Sequence, residues 1–147
     1  MTKQTRCIGI AALSGFLFFL DQYLKYQIRL SPAHSAYIWK PFIGWEYFAN
    51  RGVAFGLPVS ALFVAAVTPV IIGVLVWWLW KLPQKNQMAK IALLLIINGA
   101  LSNYLDRIVF GFTIDYLRVF TGVINVADAM IAVGFGMLAY EQFVKKA

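Results

Sequence analysis

The chain has 147 residues, 61% of them hydrophobic and 13% charged, with a mean hydropathy of +0.73. A soluble core of that size cannot hide so much apolar surface, which excludes an ordinary soluble domain and makes lipid the expected solvent. The net charge of +7 comes from basic residues at the ends of apolar runs, which fits anionic headgroups rather than nucleic acid, and a lone Cys7 excludes an intrachain disulfide.

In chain order, Lys3 and Arg6 precede a first apolar run whose helix is expected over about Thr5 to Tyr26. No small-residue cleavage site follows the run; Asp21-Gln22-Tyr23 does, so the segment reads as a retained span and not a signal peptide. The connection over 29–58 is long and aromatic, with Tyr37, Trp39, Phe42, Trp45, Tyr47 and Phe48, and predicts short strands at headgroup level. Span two, Ala61 to Trp80, carries no charge, and Trp77, Trp78 and Trp80 before Lys81 mark an interface. A short basic turn with Pro83 leads to span three, about Lys90 to Phe110. A second outer connection, 111–122, is extended near Thr113 to Leu117, and span four covers about Val123 to Phe143. The expected architecture is an all-α membrane protein, a single domain over 1–147, with four transmembrane helices and a small β-like aromatic cradle between spans one and two.

Lys3, Arg6, Lys81, Lys85, Lys90, Lys145 and Lys146 fall on the side of the termini, against Lys25, Arg29, Lys40, Arg51, Arg107 and Arg118 on the other. Those seven lie hard against span ends, and two of them flank the first span, so both termini are expected in the cytoplasm. The acids then choose a side. Asp21, Glu46, Asp106, Asp115 and Asp128 fall on the outer face, and Glu141 alone on the inner. A carboxylate at the centre of a membrane helix costs about 2.5–3.5 kcal/mol on insertion scales, so Asp21, Asp106 and Asp128 require water or partners. Lys25 stands four residues after Asp21 and can pair with it; Asn103, Asp106 and Arg107 share one helix face, and Asn125 and Asp128 another. Asp106–Arg107 also reads as a simple structural ion pair, and Asp115 alone would be an unremarkable loop residue.

If Asp115 and Asp128 meet, they cannot both ionise easily, and one keeps a proton near neutral pH. The ionised partner can activate water while the protonated one donates to a carbonyl oxygen, which is aspartic-protease chemistry. No zinc-protease, thiol-redox or serine-hydrolase motif competes, and the single His34 cannot build a His-rich metal site. A proton or cation relay is the alternative, but it requires polar residues through the membrane depth, and span two has only Thr68. An intramembrane aspartyl peptidase of the prepilin or presenilin type would carry a G-x-G-D pattern, whereas Phe112-Thr113-Ile114 precedes Asp115.

Four segments, in order, resemble the lipoprotein signal peptidase (signal peptidase II) family of bacterial membrane aspartic peptidases. Asp21 to Lys25 resembles its D-x-x-x-K, and Asn50-Arg51-Gly52-Val53-Ala54-Phe55 its N-x-G-x-A-F. Asn103-Tyr104-Leu105-Asp106-Arg107, with Gly111 and Ile114-Asp115-Tyr116, resembles its N-x-x-D-R…G…V-D-F block, and Asn125-Val126-Ala127-Asp128 its N-x-A-D. The resemblance implies a catalytic pair at Asp115 and Asp128. It implies supporting or substrate-binding roles for Asp21, Lys25, Asn50, Gly52, Asn103, Asp106, Arg107, Asn125 and Ala127. It also implies an endopeptidase of the inner membrane that needs no cofactor or metal. That enzyme would use an activated water to cut the signal peptide of diacylglyceryl-modified prolipoproteins just before the lipidated cysteine, at a site near the periplasmic face. The partners expected are such substrates and membrane lipid, not nucleic acid, with the chain acting as a monomer. The sequence departs from the family at Ser102, where Gly is common, at Tyr116, where Phe is common, and in its short segment between the two aspartates, 116–127. That short segment bears on substrate range.

Overall fold

A computed structural model of the chain describes residues 3–52 and 61–143. The elements are α1 (Lys3–Leu30), β1 (Ala36–Trp39), β2 (Ile43–Asn50), α2 (Ala61–Lys81), α3 (Gln87–Phe110), β3 (Thr113–Val119), β4 (Gly122–Ile124) and α4 (Val126–Phe143). The fold is mostly helical, and α3 is its axis, packed against α1, α2 and α4.

Among the described residues, two helices, Leu62–Lys81 and Gln87–Phe110, are long and apolar enough to cross a membrane by length and composition. They differ in what covers them: no residue of the α2 stretch is fully buried, whereas α3 buries a full stripe. In α2 the one hydroxyl is satisfied inside the helix, Thr68 Oγ1 donating to the Val64 carbonyl at 2.7 Å. α1 carries Asp21, Lys25 and Arg29, and α4 carries Asp128 and Glu141, which lowers their mean apolarity.

The buried stripe of α1 is Ser14, Asp21, Lys25 and Ile28, a heptad-like spacing that points one helix edge at α3. α3 answers with Ala89, Ala92, Leu93, Ile96, Gly99, Ser102, Asn103 and Asp106. Small residues set how closely α4 approaches. A methyl group on Gly99 would lie 2.6 Å from the Ala127 carbonyl oxygen, and one on Gly134 would lie 2.7 Å from that of Ala92. α3 stops at Gly111, whose φ of 78° is left-handed and whose N–H donates to the Arg107 carbonyl at 3.0 Å.

The strands form one antiparallel sheet in the order β1-β2-β3-β4. Here the structure corrects the all-α expectation and a cradle built only between spans one and two. β1 and β2 come from the first outer connection, β3 and β4 from the second, and the β2–β3 pairing joins them across α2 and α3. β4 also takes up Val123 and Ile124, so α4 starts at Val126 instead of the expected Val123. A bulge between Trp45 and Phe48 shifts the β2–β3 register before the Phe48–Asp115 and Asn50–Thr113 pairs. The sheet rests on α1 through Ile28, Ile114 and Tyr116, with Trp45 stacked on Tyr116 at 4.9 Å between ring centroids.

Candidate active site

The site begins with a buried cation. Lys25 is 1% exposed, and its ammonium lies 2.7 Å from Asp21 Oδ2 and 2.9 Å from Asp106 Oδ2. It also donates to Asn103 Oδ1 at 2.9 Å and to Ser102 Oγ at 3.3 Å. Such a desolvated charge is tolerated because every direction of the ammonium meets an acceptor. The two flanking carboxylates are held in turn. Asp21 Oδ2 accepts from Ser102 Oγ at 2.6 Å, and Asp106 Oδ2 accepts the Ile114 backbone N–H at 3.1 Å. Asp106 is therefore turned toward Lys25 and the start of β3, not toward its sequence neighbour Arg107, because adjacent helix positions point to different faces.

From Asn103 the network reaches both candidate catalytic carboxyls. Asn103 Oδ1 accepts from Lys25 and from Asn125 Nδ2 (3.0 Å), so its amide nitrogen must face the other way, and it donates to Asp128 Oδ1 at 2.8 Å. Asn125 Nδ2 donates also to Asp115 Oδ1 at 2.6 Å. One amide group thus touches Asp115 directly and Asp128 through a single Asn. The second oxygen of Asp115 accepts from Asn50 Nδ2 at 2.8 Å, and Asn50 Oδ1 accepts the Gly52 N–H at 3.0 Å, a turn that aims the amide. Val53 to Phe55 of that motif lie outside the described residues.

Asp128 is placed by the helix it begins. Asn125 Oδ1 accepts the Asp128 N–H at 2.8 Å and Asp128 Oδ2 accepts the Asn125 N–H at 3.3 Å, a reciprocal capping box with Asp128 at the third helical position. The same spacing that lets an N-x-x-D segment start a helix fixes the carboxyl in the site. Ala127 is fully buried, its N–H donating to Asp21 Oδ1 at 3.2 Å and its carbonyl oxygen facing Gly99. Arg107 is half-buried, reaches the Gly52 carbonyl with Nη2 at 3.5 Å, and keeps a buried Nε without a partner among the described residues.

Asp115 has no exposed surface, and burial, followed by the charge of Asp128, pushes its pKa up to about 7; the amides of Asn50 and Asn125 oppose the shift. Burial and the Asp21 charge likewise push the Tyr116 phenol well up, so it remains a hydrogen donor. Tyr116 Oη donates to Asp21 Oδ1 at 2.8 Å and accepts the Val126 N–H at 3.2 Å. Tyr116, Ser102 and Gln22 are site residues that sequence reasoning did not single out for a role. Gln22 Nε2 donates to Ser102 Oγ at 2.7 Å. Their signal was position: Gln22 adjoins Asp21, Ser102 stands four before Asp106, and Tyr116 follows Asp115. A deeper pair, Asn98 Nδ2 donating to the buried Ser14 Oγ at 2.6 Å, extends the α1–α3 polar seam. Among the described residues no three His, Cys, Asp or Glu side chains gather as metal ligands.

Comparison with known proteins decides the family. Residues 13–144 match the family described as signal peptidase (SPase) II. The chain belongs to the signal peptidase II family. It is 38% identical to the lipoprotein signal peptidase of Caldanaerobacter subterraneus subsp. tengcongensis, over 89% of this chain and 93% of that protein. It is 32% identical to the lipoprotein signal peptidase of Alteromonas mediterranea, over 97% and 86% of the two chains. Two solved structures of a bacterial membrane enzyme, obtained by the in meso method at 2.3 Å and 1.9 Å resolution, share the fold. Their TM-scores are 0.85 and 0.80 at 24% and 25% identity, covering 97% and 95% of this chain and 90% and 94% of theirs. Membership of the signal peptidase II family makes the chain a hydrolase of the membrane.

Proposed function

We propose that the protein is an aspartic endopeptidase that removes the signal peptide from diacylglyceryl-modified prolipoproteins, cutting just before the lipidated cysteine. The observation that carries this reading is the Asn125 amide, which touches Asp115 and reaches Asp128 through Asn103, within a family whose named relatives are lipoprotein signal peptidases. Four carboxyls, Asp21, Asp106, Asp115 and Asp128, face two cations, Lys25 and Arg107. One proton kept by the pair reduces the excess negative charge, and Asp115, raised to about 7, is the group that keeps it.

In the proposed mechanism ionised Asp128 takes a proton from water while Asp115 gives its proton to the scissile carbonyl oxygen. The hydroxyl adds to the carbonyl carbon and forms a neutral gem-diol. Asp115, now ionised, takes a proton back from the diol as Asp128 gives its proton to the departing amine, and the C–N bond breaks. Both carboxyls return to their starting states. Arg107 and Asn50 orient the substrate backbone, and Asp21, Lys25 and Asp106 brace the pair. The form with the proton on Asp115 is present below about pH 7 and is lost above it, so turnover falls as pH rises through that value.

In this reading all four helices cross the inner membrane, both termini are cytoplasmic, the sheet lies at the periplasmic interface, and the chain works as a monomer. The short segment 116–127 is spent on β3, a tight hairpin and β4, which leaves little covering loop and bears on substrate range. The test is cleavage of a lipid-modified precursor by the purified chain in detergent, against the same precursor unmodified. The lipidated precursor alone should be cut, and Asp115→Asn or Asp128→Asn should lower the rate by about 10²–10⁴-fold. Full activity in either variant removes the pair; preference for the unmodified precursor removes the substrate assignment.

A further inference from the structure

The hydroxyl of Tyr116 is not idle. The side chain has no exposed surface, and the ring packs on Trp45 of β2. The hydroxyl sits at the meeting of three elements. It donates to Asp21 of α1 at 2.8 Å and accepts the N–H of Val126, the first residue of α4, at 3.2 Å. The same Asp21 oxygen accepts the next N–H, that of Ala127, at 3.2 Å. The third N–H, that of Asp128, goes to Asn125 Oδ1 at 2.8 Å. Three orphan donors of the α4 terminus are thereby filled by three different side chains, one of them the phenol.

The consequence is positional. Tyr116 is bonded through the backbone to Asp115, and Val126 and Ala127 lead directly into Asp128. A phenylalanine would keep the ring packing but leave the half-buried Val126 N–H without its acceptor and Asp21 without one of its donors. The side-chain links from β3 to the α4 start would then come down, among the described residues, to Asn125, beside the β3–β4 ladder. The geometry points to Tyr116 as a positioning residue, whose hydroxyl, through Asp21 and the Val126 N–H, fixes the spacing of Asp115 and Asp128. This rests on the proposed aspartic-peptidase reading and extends it to a residue that touches neither substrate nor the reacting atoms.

The test is Tyr116→Phe in the full chain, purified in detergent and assayed on the lipid-modified precursor, beside Asp21→Asn and the double variant. The expected result is a fall in kcat of about tenfold, KM within twofold of the parent and a melting temperature within a few degrees of it. The double variant should be slowed by less than the product of the two single effects, because part of the hydroxyl's action runs through Asp21. A Tyr116→Phe protein with parental kcat overturns the proposal, as does a fall in kcat that only follows loss of folded protein. Multiplying effects of the two substitutions overturn the route through Asp21. A parent chain that leaves the lipidated precursor uncut overturns the functional reading itself, and the positional role with it, and so is told apart from a failure of Tyr116 alone.

Discussion

The two halves of the α3 stripe are buried to the same degree and built from opposite materials. One half is Ala89, Ala92, Leu93, Ile96 and Gly99; the other is Ser102, Asn103 and Asp106. The first half holds α4 by shape, with Gly134 letting the helices close until a methyl group would strike Ile96 at 2.5 Å. The second half holds α1, β3 and α4 by charge and hydrogen bonds radiating from Lys25. In lipid, apolar side chains gain nothing by leaving solvent, so close packing and polar bonds must do the joining. One helix of a membrane bundle can thus dedicate one end to fit and keep the other for a site.

Replacing Lys25 by Met strikes the charged half and should have the larger effect. It leaves Asp21 and Asp106 buried without their cation and removes the donor that orients Asn103. A loss of about 3–5 kcal/mol is expected in a reversible unfolding measurement, with cleavage abolished. If the variant unfolds like the parent, the charged half is not held by its ion cluster. Gly134→Ala strikes the shape-fitted half. The added methyl meets the Ile96 side chain and the Ala92 backbone, and the backbone cannot yield cheaply. Overpacking of this kind costs about 1–3 kcal/mol, with kcat on the surviving folded protein near the parental value. A large fall in kcat at unchanged stability would show that the two halves are coupled and blur the comparison.

Much of this was legible from residues alone, and unevenly. The helical character was readable because lipid demands long apolar runs, and α2 advertises itself by having no charge from Ala61 to Trp80. Asp21 with Lys25 and Asn125 with Asp128 were readable because their partners lie within one helical turn. The sheet was readable only as fragments. Extended stretches in both outer connections could be expected, but the β2–β3 pairing joins segments separated by two helices, and no local pattern encodes that. The partner of Asp106 was equally hidden. Its neighbour Arg107 was the obvious candidate, while the actual cation, Lys25, lies on another helix. Nothing local marks the role of the Tyr116 hydroxyl, because its partners, Asp21 and the α4 terminus, meet it only in the fold.

In the proposed mechanism Asp115 and Asp128 titrate as a pair and Asp115 holds the proton. Infrared titration of the Asp115 carboxyl in the full-length protein, made site-specific by isotope labelling, measures this directly. A midpoint of about 7 is expected, moving down but staying above the ordinary range in Asp128→Asn, because burial remains when the neighbouring charge is removed. A midpoint near the ordinary aspartate value of about 4, or one that Asp128→Asn does not move, would contradict it.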